Sequence, residues 1–295
     1  MRSNVARAAF AALVLSAFSI AEAQQPAAKR PLTFLDMQQF RQAGSPTPSP
    51  DRKWMLYTIS TPDWKEAKRQ TDIYVVSMTD GVASTKQLTF TKEKNESAPR
   101  WSRDGSYFAF LSNRDAPASS ATQNQVYVMR TDGGESRQIT TAKEGVSNFA
   151  FSPDGKWLTY RSGKSGEEQL YIVPTSNLDS AKAVQLTKQL AGVGTWEWSP
   201  DNKRIFFITE DTADADEKQR REKKFTVNVR NPESPLSSLY VVDVDAKKTT
   251  RLTKDTTITV SQINISPDGK WVGFRGTSAD RYKRGITESG INSDL

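Results

Sequence analysis

Ser152-Pro153-Asp154-Gly155-Lys156-Trp157-Leu158-Thr159-Tyr160 returns almost unchanged as Ser266-Pro267-Asp268-Gly269-Lys270-Trp271-Val272-Gly273-Phe274. Variants of its opening stand at Ser49–Lys53, Ser102–Ser106 and Ser199–Lys203. The five aspartates fall at positions 51, 104, 154, 201 and 268, at intervals of 53, 50, 47 and 67 residues. A period near 50 marks a solenoid or a propeller. The motif reads as a turn. Pro fixes φ for the first central position of a type I turn, Asp suits the second and can bond the local backbone, and Gly takes the left-handed position that closes a hairpin with a bulge. Asn202 tolerates that conformation, whereas Arg52 fits it less well.

Each turn opens a strand-like run: Trp54–Tyr57, Tyr107–Phe110, Trp157–Tyr160, Arg204–Phe207 and Trp271–Phe274. The second and fourth columns are apolar or aromatic in all five, and the third is apolar or small in most. A strand apolar on both faces lies between two other sheets, as it does inside a propeller blade. A further strand recurs as Ile73–Val76, Val126–Met129, Leu170–Val173 and Leu239–Val242. An edge signal follows at Gln87-Leu88-Thr89, Gln138-Ile139-Thr140, Gln185-Leu186-Thr187 and Arg251-Leu252-Thr253. The expected fold is all-β: a β-propeller of four-stranded blades, about five present and the last incomplete. Its repeated Trp, Tyr and Asp residues are structural.

The domain boundaries follow. Arg2 and Arg7, the apolar run Ala8–Ala21 and the small-x-small signature Ala21-Glu22-Ala23 predict a secretory signal peptide over 1–23. Residues 24–46 are an N-terminal extension, with a capping box at Thr33-Phe34-Leu35-Asp36 opening a helix to about Ala43 and Gly44 as its stop. The propeller is expected over 47–295, interrupted by a charged insertion at about 210–235 and by a smaller excursion at Pro62–Thr71 carrying Trp64. Leu295 falls in the column of Ile73, Val126, Leu170 and Leu239, so the sequence is expected to continue into a buried strand. The hydrophobic fraction is 36% and there is no Cys. An exported protein of this kind is stabilised by packing rather than disulfides. The formal charge of +7 is spread along the chain, which favours solvated loops over a nucleic-acid surface. No segment after the leader is apolar enough to span a membrane.

The chain contains no His. That removes a Ser-His-Asp or Cys-His system and every His-based metal site. No Gly-x-Ser-x-Gly elbow exists; Gly163-Lys164-Ser165-Gly166 has the wrong spacing. Gly192-Val193-Gly194 lacks the third Gly of a dinucleotide loop. Asp211, Asp214 and Asp216 lack the Gly and terminal Glu of a calcium loop. No catalytic, cofactor-binding or metal residue is therefore assigned within 1–295, no cofactor is expected, and the substrate-binding residues are open.

The leader, the Leu32–Asp36 helix start and the SPDGK, Leu-Tyr-Val-Val and Gln-Leu-Thr units resemble the N-terminal half of exported prolyl oligopeptidase-family (S9) serine peptidases, of the acylaminoacyl-peptidase and dipeptidyl-peptidase-like branches. The repeat is shared more widely with TolB-like PD40 propellers. The resemblance covers 32–295. It implies a propeller, commonly of seven blades, capping a C-terminal α/β-hydrolase domain that carries the catalytic Ser, Asp and His and acts on peptides. None of those positions lies in this chain. The paired Glu with which dipeptidyl peptidases grip a free N-terminus has no match, Glu66 standing alone. The expected function is thus a substrate-gating propeller of an exported, periplasmic or secreted, serine peptidase, with about two more blades and the hydrolase domain downstream. The rival is a TolB-like periplasmic propeller that binds protein partners without catalysis.

Overall fold

The computed structural model describes residues 30–117, 123–178, 182–211, 219, 223, 236–254, 258–278 and 293–294. The signal-peptide segment and nearly all of the 210–235 insertion lie outside the described residues. The chain divides into two units, Met1–Phe40 and Arg41–Leu295.

In the first unit the helix α1 covers only Phe34–Gln38. Its capping box forms as expected: Asp36 N–H donates to Thr33 Oγ1 at 3.2 Å, and Thr33 N–H donates back to Asp36 Oδ2 at 2.8 Å. The Arg30 guanidinium, bonded to both Asp36 oxygens, is the main reason that carboxyl titrates far below its ordinary range, with the Thr33 bonds adding to it. The helix is shorter than the expected run to Ala43. Residues Gln42–Pro48 are instead a strand, β1, paired with the strand that follows it. Gly44 stops no helix; it sits opposite Thr58, just before a register shift at Ser45, which takes a φ of 50°. Pro46 and Pro48 are tolerated because β1 is an edge strand of its sheet.

In the second unit β1, β2 (Trp54–Asp63), β3 (Lys68–Ser77) and β4 (Gly81–Gln87) form one antiparallel sheet in chain order. The same meander recurs as β5 (Glu96–Trp101), β6 (Tyr107–Ser112), β7 (Gln125–Arg130) and β8 (Arg137–Gln138). It recurs as β9 (Asn148–Phe151), β10 (Trp157–Ser162), β11 (Gln169–Pro174) and β12 (Val184–Gln185). The fourth copy is β13 (Val193–Trp198), β14 (Arg204–Glu210), β15 (Ser237–Asp243) and β16 (Thr249–Arg251). The fifth sheet holds β17 (Ile258–Ile265), β18 (Val272–Ser278) and β19 (Ser293–Asp294). Four four-stranded blades and a three-stranded fifth match the sequence reading. Register confirms the alignment of the fifth: Ser293 and Asp294 pair with Thr277 and Gly276 as Thr71 and Asp72 pair with Ser60 and Ile59.

The repeated motif builds the same turn five times. In the third blade Ser152 N–H donates to the Trp157 carbonyl at 2.8 Å, and Gly155 N–H donates to the Ser152 carbonyl. Lys156 N–H donates to Asp154 Oδ1. The Ser152 hydroxyl donates to Asp154 and accepts from Trp157 N–H. The closing residue is left-handed in every copy, with φ of 59° at Arg52, 72° at Gly105, 75° at Gly155, 63° at Asn202 and 69° at Gly269. Arg52, the poorest fit to the motif, thus adopts the required conformation, which a non-Gly residue enters at a cost. Gly155 is also demanded by space, since a Cβ there would lie 2.6 Å from Arg103 Cβ.

The Gln-Leu-Thr signal has its own mechanics. The Thr hydroxyl accepts the ladder N–H of the neighbouring strand: Ile73 to Thr89, Val126 to Thr140, Leu170 to Thr187 and Leu239 to Thr253, all at 2.8–2.9 Å. The Gln amide of three copies folds over to donate to that Thr's carbonyl. A buried strand end is satisfied without a longer fourth strand, which is why β8 and β12 need only two residues each.

The blades stack in chain order through alternate columns. Leu56, Ile73 and Val75 of the first meet Phe108, Phe110, Tyr127 and Met129 of the second. Ala109, Leu111, Val126 and Val128 on the second blade's other face meet Phe149, Leu158, Tyr160 and Val173 of the third. Leu170 and Ile172 then meet Ile205, Phe207, Trp198 and Val242 of the fourth, and Phe206, Ile208 and Leu239 meet Val260 and Ile263 of the fifth. Side-chain bonds pin these seams: Trp101 Nε1 donates to the Thr47 carbonyl at 2.9 Å and Trp198 Nε1 to Thr159 Oγ1 at 3.1 Å, the second of them buried. The expectation of two-sided burial in all five copies holds only for the middle three blades. Met55 and Tyr57 in the first blade are half-buried, because among the described residues no blade covers that face. Val272 and Phe274 in the fifth face the fourth blade yet are half-buried, because among the described residues β19 pairs with β18 only at Gly276 and Thr277.

Candidate functional face

The antiparallel meander places the turns after the first and third strands of every blade at one end. The connections after the second and fourth strands lie at the other end. At the first end half of the connections, the serine-aspartate turns, are near-identical copies. At the second the connections differ in every blade, and variable loops on a rigid scaffold are where binding resides. The candidate functional face is therefore the variable end, and its residues come from all of the first four blades.

In the first blade β2 and β3 run ten residues each, the longest hairpin among the described strands. Asp63 Oδ1 accepts from Lys65 and Glu66 N–H and shapes the tip, while Arg69 clamps Ser60 across the hairpin. This rigid extension carries Trp64 outward, 58% exposed. Glu66 sits at the same tip, without a second Glu beside it in sequence. In the second blade Arg114 reaches back to donate to Glu96 Oε1 at 3.1 Å, with its guanidinium 4.9 Å from the Tyr127 ring centre and 5.3 Å from that of Phe110. Tyr127 hydroxyl donates to Asp115 at 2.5 Å. Burial, with the Asp115 bond and charge, pushes the phenol well above its usual range. In the third blade the Gly163–Gly166 loop is fastened to the next blade, Gly192 N–H donating to the Gly166 carbonyl at 2.6 Å. Gly192 sits where space is tight: a Cβ would fall 3.0 Å from the Gly166 carbonyl carbon and 3.1 Å from Glu168 N. In the fourth blade Asp211 N–H donates to the Leu236 carbonyl, closing the neck of the long connection. Its carboxylate accepts from Arg251 at 2.8 Å, Ser238 at 3.0 Å and Tyr240 at 3.4 Å.

The candidates that the sequence raised are placed as follows. Asp211 is consumed by an ion pair, and Asp214 and Asp216 lie outside the described residues. Among the described residues no three His, Cys, Asp or Glu side chains come together as metal ligands, and no helix is long and apolar enough to cross a membrane. What the motifs do not reveal is the buried polar set at the start of β5, Glu96 with Arg114 and Asp72. Its signal is Glu96 itself, charged in a column that β17, β13 and the approach to β9 fill with Val260, Val193 and Val146. At the opposite end two clefts of about 410 and 570 Å³ open between the second and third blades, sharing Tyr107, Thr175 and Ser176. Arg103, Arg130 and Lys156 line them.

Stacked meanders closed by these turns define a propeller, and the chain belongs to the TolB beta propeller domain family (PD40), whose match covers residues 45–238. It is 24% identical to dipeptidyl-peptidase 5 of Porphyromonas gingivalis in a 277-residue alignment that covers 80% of this chain. The chain spans 37% of that peptidase and less than half the length of three other curated relatives it matches. Among solved structures it superposes on acylaminoacyl peptidase of Pyrococcus horikoshii with a TM-score of 0.51 at 11% identity, covering 86% of this chain and 40% of that one. On TolB of Acinetobacter baumannii the TM-score is 0.50 at 20% identity, covering 82% and 53%. These two likenesses concern the fold.

Proposed function

We propose that this chain is the substrate-gating propeller of an exported serine peptidase that acts on peptides, continuing beyond Leu295 into further blades and an α/β-hydrolase domain. The observation that carries the reading is the relation to dipeptidyl-peptidase 5 over 80% of the chain, against only 37% of that peptidase. A chain without His has no triad of its own, so the chemistry belongs to sequence outside 1–295. The propeller's part is access. Its variable face, with the Trp64 hairpin and the Asp211–Leu236 neck, would border the chamber, admit extended peptides, hold back folded proteins and help keep water from the reacting centre. The predicted leader supplies export.

The full-length gene product, given one peptide sequence first as a free peptide and then within a folded domain, is expected to cleave the first at least about 100-fold faster, a transition-state difference of about 2.7 kcal/mol. Equal rates on both would remove the gating role. A TolB-like binding propeller is favoured by the family match itself; it predicts no turnover of either substrate.

A further inference from the structure

The seam between the second and third blades departs from the repeat at four places, all at the end that carries the serine-aspartate turns. In four turns the first central residue is proline, at Pro50, Pro153, Pro200 and Pro267, but in the second blade it is Arg103. At the first and fourth seams the proline ring covers the glycine of the next turn. A Cβ on Gly105 would lie 3.6 Å from Pro50 Cδ, and one on Gly269 3.5 Å from Pro200 Cδ. Behind the turns, the two columns that face each other hold Trp54 and Trp101 at the first seam and Trp157 and Trp198 at the third. At the second they hold Tyr107 and Phe151. Trp101 and Trp198 reach across their seams with an indole N–H. Phe151 has no such donor and meets Tyr107 edge-on, with ring centres 6.0 Å apart. Last, the connection from third to fourth strand is longest in the third blade. It runs Thr175–Ala183, against Met78–Asp80, Thr131–Ser136 and Val244–Lys248 in the others.

The clefts of about 570 and 410 Å³ lie at this place, and because they share Tyr107, Thr175 and Ser176 they make one elongated groove. Its wall is pinned: Thr175 N–H donates to the Lys156 carbonyl at 2.8 Å, and Thr175 Oγ1 to the Gly155 carbonyl at 2.6 Å. Trp157 and Pro174 give the larger cleft an apolar surface, as Val128, Met129 and Leu178 do the smaller. Most of the charges are already answered. Asp104 and Asp154 each accept from the serine hydroxyl of their turn and from a backbone N–H. Arg130 holds both oxygens of Asp132. The smaller cleft adds one charge of each sign, Arg137 and Glu135. In the larger, Lys156 stands 3.6 Å from Asp154. Arg103 is exposed, and no acid pairs with it among the described residues.

We infer that this groove binds the C-terminal end of an extended peptide, its carboxylate held by Arg103 and Lys156 and its last apolar side chain lying on Tyr107, Trp157 and Pro174. An elongated cleft with an apolar surface and a few polar groups suits an extended chain. Ser176 and Asn177 offer a hydroxyl and an amide to the peptide backbone. One unanswered guanidinium matches the single charge of a carboxylate, whereas a phosphate monoester brings nearly two. The groove lies at the end opposite the variable face. Its occupancy is independent of the gating role and is read whether or not the protein cleaves peptides.

The full-length protein, treated beforehand with a fluorophosphonate so that no turnover intervenes, is titrated in a calorimeter with N-acetyl-Ala-Ala-Phe as the free acid and as the amide. The acid should bind, and the amide at least about tenfold more weakly. Arg103→Pro restores the sequence of the other four turns, so it should keep or raise the thermal midpoint while weakening the acid to the level of the amide. Should Arg103→Pro fold poorly, Arg103→Gln carries the same test. Inorganic phosphate at equal concentration should leave the bound peptide in place. No binding of the acid at millimolar concentration, equal affinity for acid and amide, wild-type affinity in the Arg103 variants, or displacement by inorganic phosphate would overturn the proposal.

Discussion

Phe207→Ala should destabilise the propeller by about 3–5 kcal/mol, and Phe274→Ala by only about 1–2 kcal/mol. The two residues stand in the same column of the repeat, each the fourth residue after a serine-aspartate turn. Phe207 is completely buried. It stacks on Tyr240 with ring centres 5.6 Å apart and packs among Leu170, Ile172, Trp198 and Val242, at the seam of the third and fourth blades. Alanine there leaves a cavity that neighbours on two rigid sheets cannot fill. Phe274 is half-buried against the fourth blade, so less surface returns to water and the site can relax. Denaturant unfolding of both variants, with unchanged slope against denaturant, measures the difference. Equal losses would show that position in the blade, rather than the neighbour on each face, sets the energy.

Glu96→Ala should cost about 3–5 kcal/mol, because it strands a guanidinium rather than removing a contact. Arg114 is 18% exposed at its side chain, lies over two aromatic rings and would keep only hydroxyl partners. Replacing both members, Glu96→Val with Arg114→Leu, should recover most of the loss, since Val is what the other seams carry in this column and an apolar pair avoids the desolvation of two charges. A double variant as unstable as the single one would mean that Glu96 matters for some reason other than its charge partner.

The blade was legible because its turn is constrained at every atom. Proline, aspartate and a left-handed residue can be ordered in few ways, and the chain repeats that order five times. The second and third strands were legible because burial on both faces leaves only apolar residues in them. The first strand of the first blade was not. Gly44, Pro46 and Pro48 read as a helix stop and a linker, since β1 is an edge strand with a bulge and shows no alternation. The two-residue outer strands were legible only through the Gln-Leu-Thr signal beside them, because their threonine hydroxyls replace ladder bonds that a longer strand would otherwise make. The burial of Glu96 was invisible because β3 and β5 come together only when two blades stack. Glu96 could be flagged as a charge among valines, whereas its partner could not be chosen from the sequence.

The central claim is that this propeller serves a serine peptidase whose chemistry lies elsewhere in the protein. A fluorophosphonate probe that reacts with activated serines tests it directly on the full-length gene product and on residues 24–295 alone. The account predicts one labelled serine in the full-length protein, beyond Leu295 and in a Gly-x-Ser-x-Gly setting, with peptide turnover lost in step with labelling. It predicts no label on residues 24–295. A full-length protein that takes no label and turns over no peptide, or a label that lands within the propeller, would contradict it.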